Sequence, residues 1–303
     1  MSKSLTFSRE PLFTKRENEA LVSYRNELHS TFNRQVGLLL ESKMPRKVTT
    51  TKGRLNNRFA YRHPFSENIF QKFQSIPSSD TTIIMLIDGS GSMDCHTSAG
   101  RKGFSRIQVC GAVASAFSKS LRDVLNDQVK FEVFVKHSPA CGIEGGGGMG
   151  IKGNFPTLSR VFSNAKRTSV PRDYDELLRI DTYSPLLLDG ERFGSYTAEY
   201  SVLPCLMDWV KKNVSTKNIV VFNLTDGETY ANVGETHFSF HNEHTSQMRK
   251  KYLRGVPNMT LLLDYDRKDA SEVYGEVVKT DKTGSFVNPM FKTLIRIIDS
   301  SIE

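Results

Sequence analysis

The stretch Thr81 to Met93, TTIIMLIDGSGSM, decides how this chain is read. Its apolar, β-branched run from Ile83 to Ile87 suits a strand buried on both faces of a parallel sheet, and the run stops abruptly at Asp88. Asp88, Ser90 and Ser92 then alternate with Gly89 and Gly91, so a loop at the strand's carboxyl end can turn one carboxylate and two hydroxyls toward a single point. Such a point suits a hard cation: magnesium takes oxygen ligands at roughly 2.0 to 2.1 Å and keeps some of its water. A Gly/Ser turn leaving a strand would have the same composition. The context argues for a site, because ligands of open α/β sheets bind at the carboxyl ends of strands.

A second run, Asn218 to Leu224 (NIVVFNL), ends in Thr225-Asp226-Gly227-Glu228 and places another carboxylate at a strand end before a glycine. The combination of DxSxS after an apolar strand, a threonine loop and a later strand ending in TDG resembles the von Willebrand factor A domain with its metal-ion-dependent adhesion site. The resemblance implies a doubly wound, mostly parallel, Rossmann-like α/β sheet. It also implies a divalent ion, Mg2+ or Mn2+, held by Asp88, Ser90, Ser92, Thr197 and Asp226. Thr197 comes from GSYTAEYS, just ahead of an apolar pattern at Val202, Leu203, Leu206, Trp209 and Val210; Ser195 or Glu199 could take its place.

Further upstream, a glycine-led basic and aromatic segment (GRLNNRFAYR, then IFQK) precedes the site strand. It resembles the lead-in to the same domain in CobT-type cobaltochelatase subunits and their stand-alone bacterial and phage relatives, so the resemblance covers about Gly53 to the carboxyl end. It implies a partner, a ring-forming AAA+ ATPase of the MoxR or CobS type. Chelatase subunits carry a long acidic segment ahead of the domain, and only a short extension precedes it here, which favours a stand-alone relative over a metal-inserting subunit. The expected organisation is an amino-terminal helical extension with a basic lead-in over residues 1–79 and the domain over 80–303.

Composition narrows the function classes. A chain of 303 residues with 38% hydrophobic content can bury a sizeable core. The net charge of +8 is spread along the chain, densest at Arg249-Lys250-Lys251 and between Arg46 and Arg62, with no recognisable nucleic-acid module. A nucleic-acid-binding accessory is therefore a distant alternative. Cys95, Cys110, Cys141 and Cys205 are far apart and form no CxxC pair, so neither a structural zinc site nor a disulfide framework is expected. The start MSKSLTFSRE lacks the apolar core of a signal peptide, and no apolar run is long enough to span a bilayer. The expectation is a cytoplasmic protein without membrane contact.

Along the chain, Leu21, Tyr24, Leu28, Phe32, Val36, Leu39 and Leu40 make one apolar stripe on a helix from about Arg16 to Ser42, read as a packing face. Arg46 to Phe73 reads as a linker with short helical turns. Ile107 to Leu125 has helical periodicity with small residues (Gly111, Ala112, Ala114, Ser115) that allow close approach to the sheet, and Gln128 to Lys136 alternates as a strand. Phe155 to Phe193 reads as irregular, broken by Pro156, Pro171 and Pro185. Helices are expected over Val202 to Asn213 and Asn242 to Leu253, and a buried strand over Asn258 to Leu263. A final helix is expected to have Asn288 as cap and Pro289 in first position.

Three other patterns carry no chemistry. The glycine cluster Gly145 to Gly148 lacks the Gly-Lys-Ser/Thr of a phosphate loop and reads as a hairpin tip. His237, His241 and His244 flank Glu243, but HNEHT is not HExxH, so solvated or capping histidines are expected rather than zinc ligands. No nucleophile with a base can be defended from spacing. The expected function is thus a non-catalytic, metal-dependent protein-binding adaptor, with a metal-dependent hydrolase or a chelatase subunit as the enzymatic alternatives.

Overall fold

The computed structural model describes residues 6–8, 19–43, 48–50, 54–55, 70–72, 81–97, 103–125, 129–139, 157–165, 170–180, 193–196, 199–216, 218–227, 230–233, 236–239, 242–264, 268–280 and 286–290. Strands β1 (Thr6–Ser8), β2 (Val48–Thr50), β3 (Arg54–Leu55), β4 (Phe70–Lys72), β5 (Thr81–Asp88), β6 (Lys130–Pro139) and β7 (Thr157–Ser163) come first. They are followed by β8 (Phe193–Tyr196), β9 (Asn218–Thr225), β10 (Tyr230–Val233), β11 (Thr236–Ser239), β12 (Asn258–Leu262) and β13 (Glu276–Lys279). The helices are α1 (Glu19–Lys43), α2 (Arg106–Leu125), α3 (Leu203–Asn213), α4 (Asn242–Tyr252) and α5 (Ala270–Tyr274).

The main sheet runs β1-β7-β6-β5-β9-β12-β13, with β8 added on β6. From β6 to β13 neighbouring strands are parallel, whereas β7 is antiparallel to β6. This is the α/β architecture expected from the sequence, a mostly parallel, von Willebrand factor A-like sheet with an amino-terminal helix. In chain order the six strands from β7 to β13 read 3-2-1-4-5-6, the doubly wound arrangement whose order reverses between β5 and β9. Carboxyl ends of two strands diverge there, into helices on opposite faces.

Two apolar layers cover the sheet. On one face Ile83, Met85 and Ile87 of β5 meet Ile107, Val113 and Phe117 of α2, with Phe117 edge-on to both Phe131 and Phe222. On the other, Ile84 and Leu86 meet Leu203, Leu206 and Val210 of α3. Consecutive residues of β5 thus bury on opposite faces, so its run has no polar alternation. The α1 stripe is a packing face, as expected: Leu21, Tyr24, Leu28 and Phe32 are buried in the α2 layer, and Phe32 packs edge-on to Phe117. Val36, Leu39 and Leu40 have side chains outside those described. Among the described residues no helix is long and apolar enough to cross a membrane.

Several expectations need correction. The segment read as a linker with helical turns holds β2, β3 and β4, which form a three-stranded antiparallel sheet. The region read as irregular contains β7, whose Leu158, Val161 and Phe162 are buried beside β6, and a 3-10 turn at Tyr174–Arg179. Its short length between prolines hid the strand. The last helix already includes residue 287, because Met290 N donates to Phe286 O at 2.9 Å, so Asn288 lies inside the first turn rather than at the cap. Its Oδ1 instead accepts from Gln35 Nε2 of α1 at 3.2 Å. The remainder of that helix and the Gly145 to Gly148 cluster lie outside the described residues.

The small residues of α2 are expected to approach the sheet closely, but at Gly111 the close neighbour is the 3-10 turn instead. A Cβ there would lie 2.6 Å from the backbone oxygen of Leu177. Gly111→Ala should therefore destabilise the protein by about 1 to 2 kcal/mol, overpacking outweighing the roughly 1 kcal/mol gain in helix propensity. Urea unfolding of the variant checks this; an unchanged or raised midpoint would contradict it.

Candidate metal centre

The two sequence-predicted carboxylates sit at the same edge of the sheet. Strand β5 pairs with β9 in the register Ile87↔Leu224, which sets Asp88 beside Thr225 and one residue from Asp226. Gly227, with φ of +89°, turns the chain away immediately after Asp226, a conformation that a side chain would strain. Asp88, Ser90, Glu199 and Asp226 are each no more than 1% exposed. The switch point thus carries the polar residues, and the apolar layers close beneath them.

Local bonds shape the first loop. Ser90 N donates to Asp88 Oδ1 at 2.9 Å, and Gly89 N donates to the Lys136 carbonyl at 2.8 Å. The loop then enters a short 3-10 turn over Gly91–Asp94. Ser90 Oγ and Ser92 Oγ end 3.0 Å apart. Two oxygens bound at adjacent corners of a magnesium octahedron are separated by about 2.9 Å, as bond lengths of roughly 2.0 to 2.1 Å require. The serine pair and the neighbouring carboxylates fit a hard divalent cation.

Around these side chains lie residues that the sequence did not single out as a site. Lys136 of β6 is 0% exposed, with Nζ 2.8 Å from Glu199 Oε2 and 4.0 Å from Asp88 Oδ2, held there by charge rather than by an aligned hydrogen bond. Thr225 Oγ1 lies 2.7 Å from Asp88 Oδ2, makes a short contact to Glu199 Oε1 and accepts from Gly227 N at 3.1 Å. Arg106, the first residue of α2, reaches three loops at once. Its Nη1 donates to Asp226 Oδ2 at 2.9 Å and to the Ser92 carbonyl at 3.2 Å, and its Nε donates to Asp264 Oδ2 at 3.3 Å.

Asp88 and Glu199 face Lys136, and Asp226 and Asp264 face Arg106, so each of these carboxylates lies beside a cation. Buried charge is tolerated only when compensated. Backbone strain concentrates here as well. Among the described residues the only positive φ angles outside glycine are at Glu199 (+24°) and Asp264 (+60°), both in the cluster. The ion pairs with Lys136 and Arg106 hold these two side chains in place.

Thr197, the fifth predicted ligand, lies outside the described residues, as does the side chain of Ser195. Glu199, the alternative raised with them, is in contact with Thr225 and Lys136. The histidines are spread over different elements: His237 is in β11, His244 is exposed on α4, and His241 lies outside the described residues. Among the described residues no group of three or more His, Cys, Asp or Glu side chains gathers as a metal site.

No family model and no curated relative matches the chain. Among solved structures it is similar to the pilus adhesin SpaC from Lactobacillus rhamnosus GG in its open conformation, at 14% identity and a TM-score of 0.44 over 71% of this chain. The chain spans 30% of that adhesin's length.

Burial pushes the Asp88 carboxyl up from 3.8 to about 7; Lys136 opposes the rise, Asp226 and Glu199 add to it, and the Thr225 hydroxyl opposes it. The native state then binds this proton more tightly than the unfolded chain does, so the stability Asp88 contributes is full below its unfolded pKa and is lost as pH rises through about 7. Thermal melts in chelator should show wild type losing several degrees relative to Asp88→Asn between about pH 5 and pH 8. Parallel pH profiles for the two proteins would contradict this.

Proposed function

We propose that Asp88, Ser90, Ser92, Thr197 and Asp226 hold Mg2+ or Mn2+, and that the loaded site captures an acidic side chain of a partner protein, making this chain an adaptor without catalysis of its own. The observation that carries the reading is the serine pair, 3.0 Å apart beside Asp88 at the sheet's switch point. Serine and threonine hydroxyls are neutral ligands, so an ion they hold stays electrophilic and can accept a further carboxylate. Asp88 and Asp226 anchor it from two strands, Arg106 keeps the Asp226 loop against the Ser92 loop, and Lys136 holds Glu199 away from open solvent.

The partner class rests on the sequence resemblance of GRLNNRFAYR and IFQK to CobT-type proteins, which work with a MoxR- or CobS-type AAA+ ATPase. An ATPase of that class, bound through an acidic side chain, is the partner proposed here, and the cytoplasm is the compartment where the two would meet. The cluster suits binding better than turnover. Its buried lysine and its half-buried arginine already face carboxylates, and among the described residues the hydrogen-bond partner of Ser90 Oγ is the other serine.

A pull-down of the MoxR/CobS-type ATPase from the same genome tests the proposal. Capture should require magnesium or manganese and should fall by about tenfold or more in chelator, in Asp88→Ala and in Asp226→Ala, as expected when a charge-bearing anchor is removed. Circular dichroism of each variant confirms that the fold persists. Undiminished capture in chelator would overturn the metal-dependent reading, and phosphoester hydrolysis by the isolated chain would replace it with the enzymatic one.

A further inference from the structure

At the opposite pole of the sheet lies a second polar concavity, of about 280 Å³, between α2, the end of β7 and the 3-10 turn. Ser118, Arg122, Phe162, Asn164, Arg172 and Tyr174 line it. Asn164 bonds Phe131 N and Val129 O, at the amino end of β6. Phe131 is in register with Ile83, so the cavity lies five residues of β5, roughly 16 Å, below Asp88. It is separate from the candidate metal centre.

Positive charge is in excess at this place. The cationic groups of Arg25, Lys119 and Arg122 lie 5.5, 5.5 and 5.9 Å from the centre of the Tyr174 ring, and Arg172 adds a fourth cation to the wall. Of the nearby carboxylates, Asp175 pairs with Arg25 and Glu176 with Arg179, while Asp123 bonds His29, whose pKa burial lowers, and Asp173 caps the Asp175 amide, so these last two keep their charge beside three further cations. Lys119, Arg122 and Arg172 have no ion pair among the described residues. The partial negative charge at the end of α2, about half an elementary charge, offsets only a fraction of theirs.

We propose that this cavity binds a phosphate monoester dianion. Two guanidinium groups supply the planar forks that match phosphate oxygens, Lys119 adds a point charge, and the Ser118 hydroxyl adds a short-range donor. A cavity of this size admits a phosphoryl group and a short stem rather than a whole nucleotide. The chemistry is shared by a free phosphate compound and by a phosphorylated side chain of a partner.

Calorimetric titration of the full chain at low ionic strength, in chelator, tests this with inorganic phosphate, a phosphoserine peptide and glutamate as probes. Saturable binding of phosphate is expected, weakened about tenfold or more in Arg122→Gln/Arg172→Gln. Tighter binding of the peptide than of phosphate would identify a protein source; equal affinities would identify a free phosphate compound. Without ligand the double variant should melt at or above wild type, because repulsion among the cations is relieved. That sign separates a binding pocket from a structural role. No saturable binding, equal affinity in the double variant, or glutamate binding as well as phosphate would overturn the proposal, and so would binding that appears only with magnesium, which would place phosphate at the metal centre.

Discussion

One hydroxyl stands between two buried carboxylates. Thr225 has a single proton to donate, yet Asp88 Oδ2 and Glu199 Oε1 both lie within hydrogen-bonding reach of its oxygen. A proton on Asp88, whose pKa burial raises to about 7, relieves this competition. Much of the surrounding architecture serves this group. Lys136 is buried against it, Asn223 donates to Glu199 Oε2 at 3.3 Å, and Gly227 N closes the last position on the hydroxyl. Metal binding releases protons wherever a ligand must be ionised, so a cation bound here would compete with the Asp88 proton.

Topology makes the cluster possible. Only at the reversal of strand order do neighbouring carboxyl ends lead to helices on opposite faces, leaving a crevice in which β5, β9 and the start of α2 all present side chains. Arg106 binds these elements together, its guanidinium reaching the loops after β5, β9 and β12. Bonds from three loops thus hold the carboxylates in place, while the serine pair forms the edge with neutral oxygens.

The sequence made the frame of this site legible. Strands β5 and β9 are largely apolar runs because both faces are covered; β5 ends on Asp88, and Asp226 follows β9 directly. The α1 stripe was equally readable. Lys136 and Glu132 were not, because in QVKFEVFVK they occupy the polar half of an alternation that normally faces water. Strand β6 is covered on that side too, so these side chains are buried and satisfied by partners: Glu132 by Arg160 and Ser163, Lys136 by Glu199. Such long-range pairings leave no periodic trace. Strand β7 was missed for a related reason, since its burial comes from β6 and not from a run long enough to stand out.

The central claim, that the switch-point cluster is a divalent-metal site, is tested most directly by diffraction at the manganese edge from crystals grown with Mn2+. The account predicts one strong anomalous peak at the carboxyl ends of β5 and β9, about 2 Å from Ser90 Oγ and Ser92 Oγ and within one ligand or one water of Asp88 and Asp226. An empty cluster in crystals saturated with manganese, or a peak held only by other side chains, would contradict it.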